Sequence, residues 1–464
     1  MNTPASKPSS VTNNQSTTEK VYLALAIDDD GRLCKDIPES ACNHQPKHFL
    51  THVTSLTLSK LADSFVDPKL VLSWLLTQFG NSTTTIGFLV PIRESGALLP
   101  QLFFSEWTRT RAQRKWVWAV GAVVQGMAAL AMVFCVLFLP KQVAGFGILI
   151  CLLVLAVARS FCSVSYKDVL GKTLSKATRG TATGIASSIA SFGIIAFALL
   201  LGLNLIQLST DSILVLLGIA GGFWIVSAIT FTQLNEENGS TEGGKNGAEN
   251  LIKLITKSFL NKQFLLFVLT RGFLTATALA PPFMILLVKQ TSDLTGSSSG
   301  IDFLESSVTS FGAEQLGLLM LASALASLFS SFLWGRFADR SSRKVLLLAA
   351  FLSALTLGLT WLIAMFFPSV LLLWYSLPIL LFCLMVAYQG VRLGRTTHLV
   401  DMATENTRAA YTAASNSTIG VLLMFGSAFG LLAQLIGVTG VLLVFALMCL
   451  FAAAMAVYLD EVQC

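Results

Sequence analysis

Charge is what this 464-residue chain has least of. Only 12% of its residues are Asp, Glu, Lys or Arg, about half the usual share of a soluble globular domain. The deficit excludes an ordinary soluble fold, and the 54% hydrophobic content with a mean hydropathy of +0.71 says where the difference has gone. The eight cysteines are dispersed and contain no C-x-x-C pair, which excludes a disulfide framework and leaves a reducing surrounding for the soluble parts as the simplest reading. The N-terminal "MNTPASKPSSVTNNQSTTEK" has no apolar core, so no cleavable signal peptide is expected. HExxH, GxSxG, a P-loop and a GxGxxG in strand–turn–helix context are all missing, which removes support for an enzyme or an ATP-driven machine. The net charge of +6 comes without a basic patch interleaved with aromatics, so nucleic acid is not an expected partner.

What the chain has in place of charge is long apolar runs. A helical bilayer span needs about 20 predominantly apolar residues, and twelve runs of that kind are expected, near 61–80, 83–104, 116–139, 142–164, 180–206, 212–234, 262–288, 313–334, 344–366, 370–391, 408–435 and 437–459. The fold class is therefore an all-α membrane protein. Residues 1–20 are expected to be a disordered tail and 21–60 a short cytosolic segment. A half at 61–234 and a half at 262–464 then flank a linker at 235–261, flexible and Gly-rich at its front and amphipathic at its back. Basic residues crowd alternate loops (Arg109, Arg111, Arg114, Lys115, Lys172, Arg179, Arg336, Arg340, Arg343, Lys344 and Arg395), whereas the opposite loops hold Lys141 and Lys289 with Asp293, Asp302 and Glu305. The positive-inside rule puts the basic side, and both termini, in the cytosol of a cell-membrane protein.

The halves repeat. "RAQRKWVWAVG" and "RSSRKVLLLAA" align at the same 229-residue offset as "ATRGTATGIASS" and "NTRAAYTAASNS", which reads as a 6+6 duplication of parallel halves. Residues 335–344, "GRFADRSSRK", then resemble the loop motif G-x-x-x-D-R-x-G-R-K of the major facilitator superfamily through Gly335, Asp339, Arg340, Arg343 and Lys344, with Ser342 in place of the second glycine. The resemblance covers residues 61–460 and implies twelve transmembrane helices in two pseudo-symmetric six-helix halves. It also implies a secondary transporter that works as a monomer without cofactor, metal or ATP, and a loop that stabilises one of two alternating states. Gly335 is expected to let two helices approach closely. The first-half copy, "SEWTRTRAQRK", lacks both glycine and aspartate. Span five has no Gly-Pro signature of drug/proton antiporters, and Cys162 stands where the fourth-helix pattern has glycine. Drug efflux is therefore not expected, and a membrane scaffold or assembly factor on this fold is the alternative to a carrier.

The ionisable residues inside the spans mark the candidate site. Arg93 and Glu94 lie about 15 Å from either end of their span at 1.5 Å per residue, a depth at which a charge facing lipid costs at least about 2.5 kcal/mol. Glu94 is read as lining a cavity and Arg93 as reaching an adjacent helix, with a purely structural interhelix ion pair as the alternative. Asp63 and Asp67 fall on one stripe of span one, where Asp67-Pro68 suggests a broken helix starting near Leu61 or, alternatively, a cap at the interface. Arg271 lies within span seven. Arg159 is read either as the family's fourth-helix arginine or as a snorkelling side chain, and Gln389 and Arg392 sit at the inner mouth of span ten. The resemblance implies that helices one, four, seven and ten line the cavity. The excess of arginine over carboxylate suggests a small anionic solute, with Glu94, Asp63 and Asp67 as proton-coupling candidates. His44, His48 and His52 match no zinc spacing and are read as a solvated helix face.

Overall fold

The computed structural model describes residues 44–238, 256, 258–296, 313–403 and 408–462, with 102–103, 105–106, 109, 204, 206–208 and 339 excepted. The expected tail, most of the 21–60 segment, most of the linker, and Asp339 of the loop motif lie outside the described residues. The N-terminal half comprises α1 (Gln45–Phe65), α2 (Val71–Gln78), α3 (Thr83–Gly87), α4 (Leu89–Leu98), α5 (Lys115–Phe138), α6 (Lys141–Thr173), α7 (Lys176–Gly202) and α8 (Thr210–Thr232). The C-terminal half comprises α9 (Lys262–Phe273), α10 (Ala276–Gly296), α11 (Ala313–Ala338), α12 (Ser342–Phe366), α13 (Pro368–Leu371), α14 (Ser376–Met402), α15 (Arg408–Phe425) and α16 (Ala428–Val457). Among the described residues, nine helical segments are long and apolar enough to cross a bilayer. The expected first and second spans are present as the interrupted pairs α1–α2 and α3–α4. The eleventh begins as α15 and continues into α16, which bends at Gly437 (φ 78°) before the twelfth. No side chain crowds that position; glycine is there for the backbone conformation, which places the bend between the two expected spans.

Helix contacts repeat from half to half. In the first, α5 packs on α6 and α8, α4 on α6, and α1 on α7 and α8. In the second, α12 packs on α14 and α16, α11 on α14, and α9 on α15 and α16. The halves meet through α7 against α11 and α4 against α15, one pair being the pseudo-symmetric mate of the other. The all-α fold of two pseudo-symmetric halves expected from the repeat is the fold observed.

Three details depart from expectation. The first helix begins at Gln45, well ahead of Leu61. Its first turns are polar, but their side chains are spent on protein. Gln45 donates to Ser175 Oγ at 2.9 Å, His52 meets Thr173 Oγ1 at 2.8 Å, and His48 meets the Thr173 carbonyl at 3.3 Å. His48 and His52 are therefore fully buried and not a solvated face, because satisfied polar groups can be buried where hydropathy alone predicts exposure. Lastly, among the described residues a β-carbon on Gly335 would meet nothing within 4 Å, so no close helix approach is seen there.

The basic loops at the Gly335 end, called here the motif end, are tied down by acids. Glu236 accepts from the backbone N–H of Lys115 at 2.7 Å and from Lys172 at 2.9 Å, while Asp168 pairs with Arg114 and, at 3.0 Å, with Lys172. In the other half Glu461 accepts from Ser341 Oγ at 2.8 Å, and Ser341 caps α12 by accepting from Lys344 N–H at 3.1 Å. Each half thus sets a glutamate from beyond its last helix against the start of its third, where the helix dipole favours an anion.

Candidate functional site

The site is built on the break in the first span. Pro68 has no N–H to give and disfavours helix at Asp67, so α1 stops at Phe65. The freed backbone groups are satisfied locally: Asp67 Oδ1 accepts from Lys69 N–H at 2.6 Å, and Ser73 Oγ donates to the Pro68 carbonyl at 2.6 Å. Asp67 is thereby a turn-forming carboxylate inside the bundle, and not the N-cap of α2, which is Leu70. The turn aims Lys69 inward. Its Nζ lies 3.8 Å from the Tyr388 ring centroid and 3.9 Å from Glu94 Oε1.

One turn earlier, Asp63 holds two arginines. Arg93 on α4 donates to its Oδ1 at 2.7 Å and Arg159 on α6 pairs with its Oδ2. The two charges adjacent in sequence have thus parted: Arg93 reaches α1 in an interhelix ion pair, and Glu94 turns to the interior.

Between the halves lies a polar cavity of about 240 Å³. Ser64, Asp67 and Lys69 line it from the first span, Ser191 from α7, Ser323 and Ser327 from α11, and Tyr388, Gln389 and Arg392 from α14. Gln389 is held by a bond to Ser327 Oγ at 3.1 Å. A smaller lobe continues past Tyr388 and Arg392 and is lined by Glu94, Arg271, Thr275, Thr277 and Arg395. Arg271 is buried and bound to neutral acceptors on α15, Ser415 Oγ at 2.6 Å and Asn416 Oδ1 at 2.9 Å. Arg392 and Arg395 have no carboxylate partner among the described residues.

All eight candidates from the sequence therefore fall within this region: Asp67, Glu94, Arg271, Gln389 and Arg392 on the cavity walls, and Asp63, Arg93 and Arg159 in the adjoining triad. Lys69 and Arg395 are wall residues that sequence reasoning did not single out. The signal for Lys69 is its place straight after Asp-Pro in a broken span; for Arg395 it is the helical spacing from Arg392. At the end opposite the motif the halves are shut. Lys289 on α10 donates to the Thr77 carbonyl, and a β-carbon on Gly87 would sit 2.8 Å from Gly430 Cα.

The family model described as Major Facilitator Superfamily matches residues 54–308 and 296–463. The chain belongs to the major facilitator superfamily. Solved structures of this architecture are similar to it at low identity. The nucleoside transporter NupG is 13% identical with a TM-score of 0.63, covering 89% of this chain and 98% of that one. A POT family transporter in complex with a thioalcohol-conjugated peptide is 12% identical with a TM-score of 0.65, covering 91% of this chain and 98% of that one. No curated protein sequence matches significantly. As a major facilitator superfamily member the chain is a multi-pass membrane transporter, and its polar cavity lies where the two halves of such a protein meet.

Proposed function

We propose that this transporter carries a small organic anion through the cavity between its halves by alternating access, and that a proton moves with it. The observation that carries the reading is Arg392 and Arg395, which form no salt bridge among the described residues, beside Lys69 and Arg271 and facing a cavity lined by the carboxylates Asp67 and Glu94. Guanidinium groups recognise carboxylate and phosphate in bidentate geometry. The serines and Gln389 supply hydrogen bonds for the neutral part of the solute. Taking the basic motif end as cytosolic and the membrane as the cell membrane, the closed Gly87–Gly430 and Lys289–Thr77 contacts support reading the outer end as the shut one.

Coupling follows from Lys69. An ionised Glu94 competes with the solute for the Lys69 ammonium; protonating Glu94 releases that ammonium to the incoming anion. Glu94→Gln is therefore expected to keep solute binding while losing its response to an imposed pH gradient.

The solute class is tested by thermal stabilisation of the purified chain against organic anions, cations and neutral solutes. We expect a saturable rise in Tm with a subset of anions, weakened at least tenfold in midpoint concentration by Arg392→Ala with Arg395→Ala. Stabilisation by cations alone, or an anion response that survives the double substitution, rejects the anionic reading.

A further inference from the structure

A concavity larger than the polar cavity is found away from the meeting of the halves. It lies on the flank of the N-terminal half, has a volume of about 870 Å³, and runs between α5 and α6. The two helices touch at its floor, where a β-carbon on Gly121 would come within 2.7 Å of Cys162 Sγ and 3.1 Å of the Ala158 carbonyl. Val120 and Val124 form one wall, Leu153 and Val154 the other, and all four are exposed. In a membrane transporter such a face meets acyl chains, not water.

Toward the motif end the lining changes character. Trp107 and Trp116 are 44% and 53% exposed, and indole rings of this kind settle at the level of lipid headgroups. The Arg111 guanidinium lies 4.7 Å over the Trp107 ring. From Trp116 to Val124 a helix rises about 12 Å at 1.5 Å per residue, against about 15 Å for half of a 30 Å hydrocarbon core. The groove thus runs from headgroup level almost to the midplane, the depth of a single leaflet.

Its basic neighbours are already engaged. Arg114 pairs with Asp168, and Lys115 donates to the Leu234 carbonyl at 2.7 Å and the Thr232 carbonyl at 3.2 Å. Arg111 is exposed and has no carboxylate partner among the described residues. A cation left over beside an apolar slot of one-leaflet depth complements a phosphate that carries a chain. A headgroup with its own ammonium would bring a second positive charge against Arg111; a net-anionic headgroup does not.

We propose that this groove is a retained site for one anionic phospholipid of the motif-side leaflet, with the phosphate on Arg111 and an acyl chain along Val120, Val124 and Leu153. The site is separate from the solute cavity and does not depend on what the transporter carries. The test uses delipidated full-length protein in detergent, titrated with phosphatidylglycerol, phosphatidylcholine or inorganic phosphate, with Tm as the readout. Phosphatidylglycerol is expected to raise Tm saturably, with a midpoint at least fivefold below that of phosphatidylcholine and with no effect of inorganic phosphate. Arg111→Ala should erase the preference between the two lipids, and Val120→Trp, which fills the slot from an exposed position, should erase the response to both. Equal midpoints for the two lipids in the parent, a matching response to inorganic phosphate, or an unchanged phosphatidylglycerol midpoint in both variants would each overturn the proposal.

Discussion

Asp63→Asn is expected to destabilise the transporter by about 3 kcal/mol, the cost of removing one partner from a largely buried ion pair, and to reduce transport at least tenfold. The carboxylate sits between Arg93 and Arg159, its side chain only 18% exposed. Asparagine keeps the shape but leaves two guanidinium groups facing each other with one neutral acceptor between them. No other carboxylate lies on α1, and Asp67, just past its end, is engaged in its own turn. The reading is a Tm measurement on Asp63→Asn, Arg93→Gln and the double variant. The double variant should recover part of the loss, since it removes a cation together with the missing anion. Additive losses would show that Asp63 and Arg93 act independently, contrary to the pairing.

Gly430→Leu is expected to abolish transport while leaving most of the protein folded. A β-carbon at 430 would lie 2.9 Å from Thr84 Cα and 3.0 Å from the Thr83 carbonyl, both backbone atoms of α3 with little freedom to yield. A leucine there holds the halves apart at the end that is shut in this structure. Thr85, buried beside the contact, reports on it. Thr85→Cys should react slowly with a membrane-impermeant maleimide in the parent and at least tenfold faster with Gly430→Leu added, as read by peptide mass spectrometry. Unchanged labelling with normal transport would mean that Gly430 is a packing position and not part of a gate.

The sequence revealed depth better than it revealed direction. Arg93 and Glu94 announced themselves because two charges in mid-span must be hidden from lipid, and the helical 100° between neighbours foretold that they would part. The duplication was legible because loop residues at the ends of helices repeat at one offset, and helix contacts recur on the same plan. What stayed illegible depended on partners far away in the chain. Hydropathy placed the first span at 61 because Gln45, His48 and His52 read as polar; only Ser175, Thr173 and Asn235, brought up by other helices, make them buriable. Lys69 went unremarked within the expected first span, and only the Asp67 turn shows that it points inward. Glu236 and Glu461, just past the last helix of each half, drew no reading from the sequence. The available signal was that each lies four residues past the last helix of its half.

The central claim is that the cavity carries an anion across the membrane with a proton. Its most direct test is flux: purified protein in liposomes, loaded with the anion that stabilises it and challenged with an imposed pH gradient. The account predicts saturable, protein-dependent movement of that anion, accelerated by the gradient in the parent and indifferent to it in Glu94→Gln. An anion that binds but never crosses in the parent, with or without a gradient, would contradict the account and leave the fold serving as a scaffold.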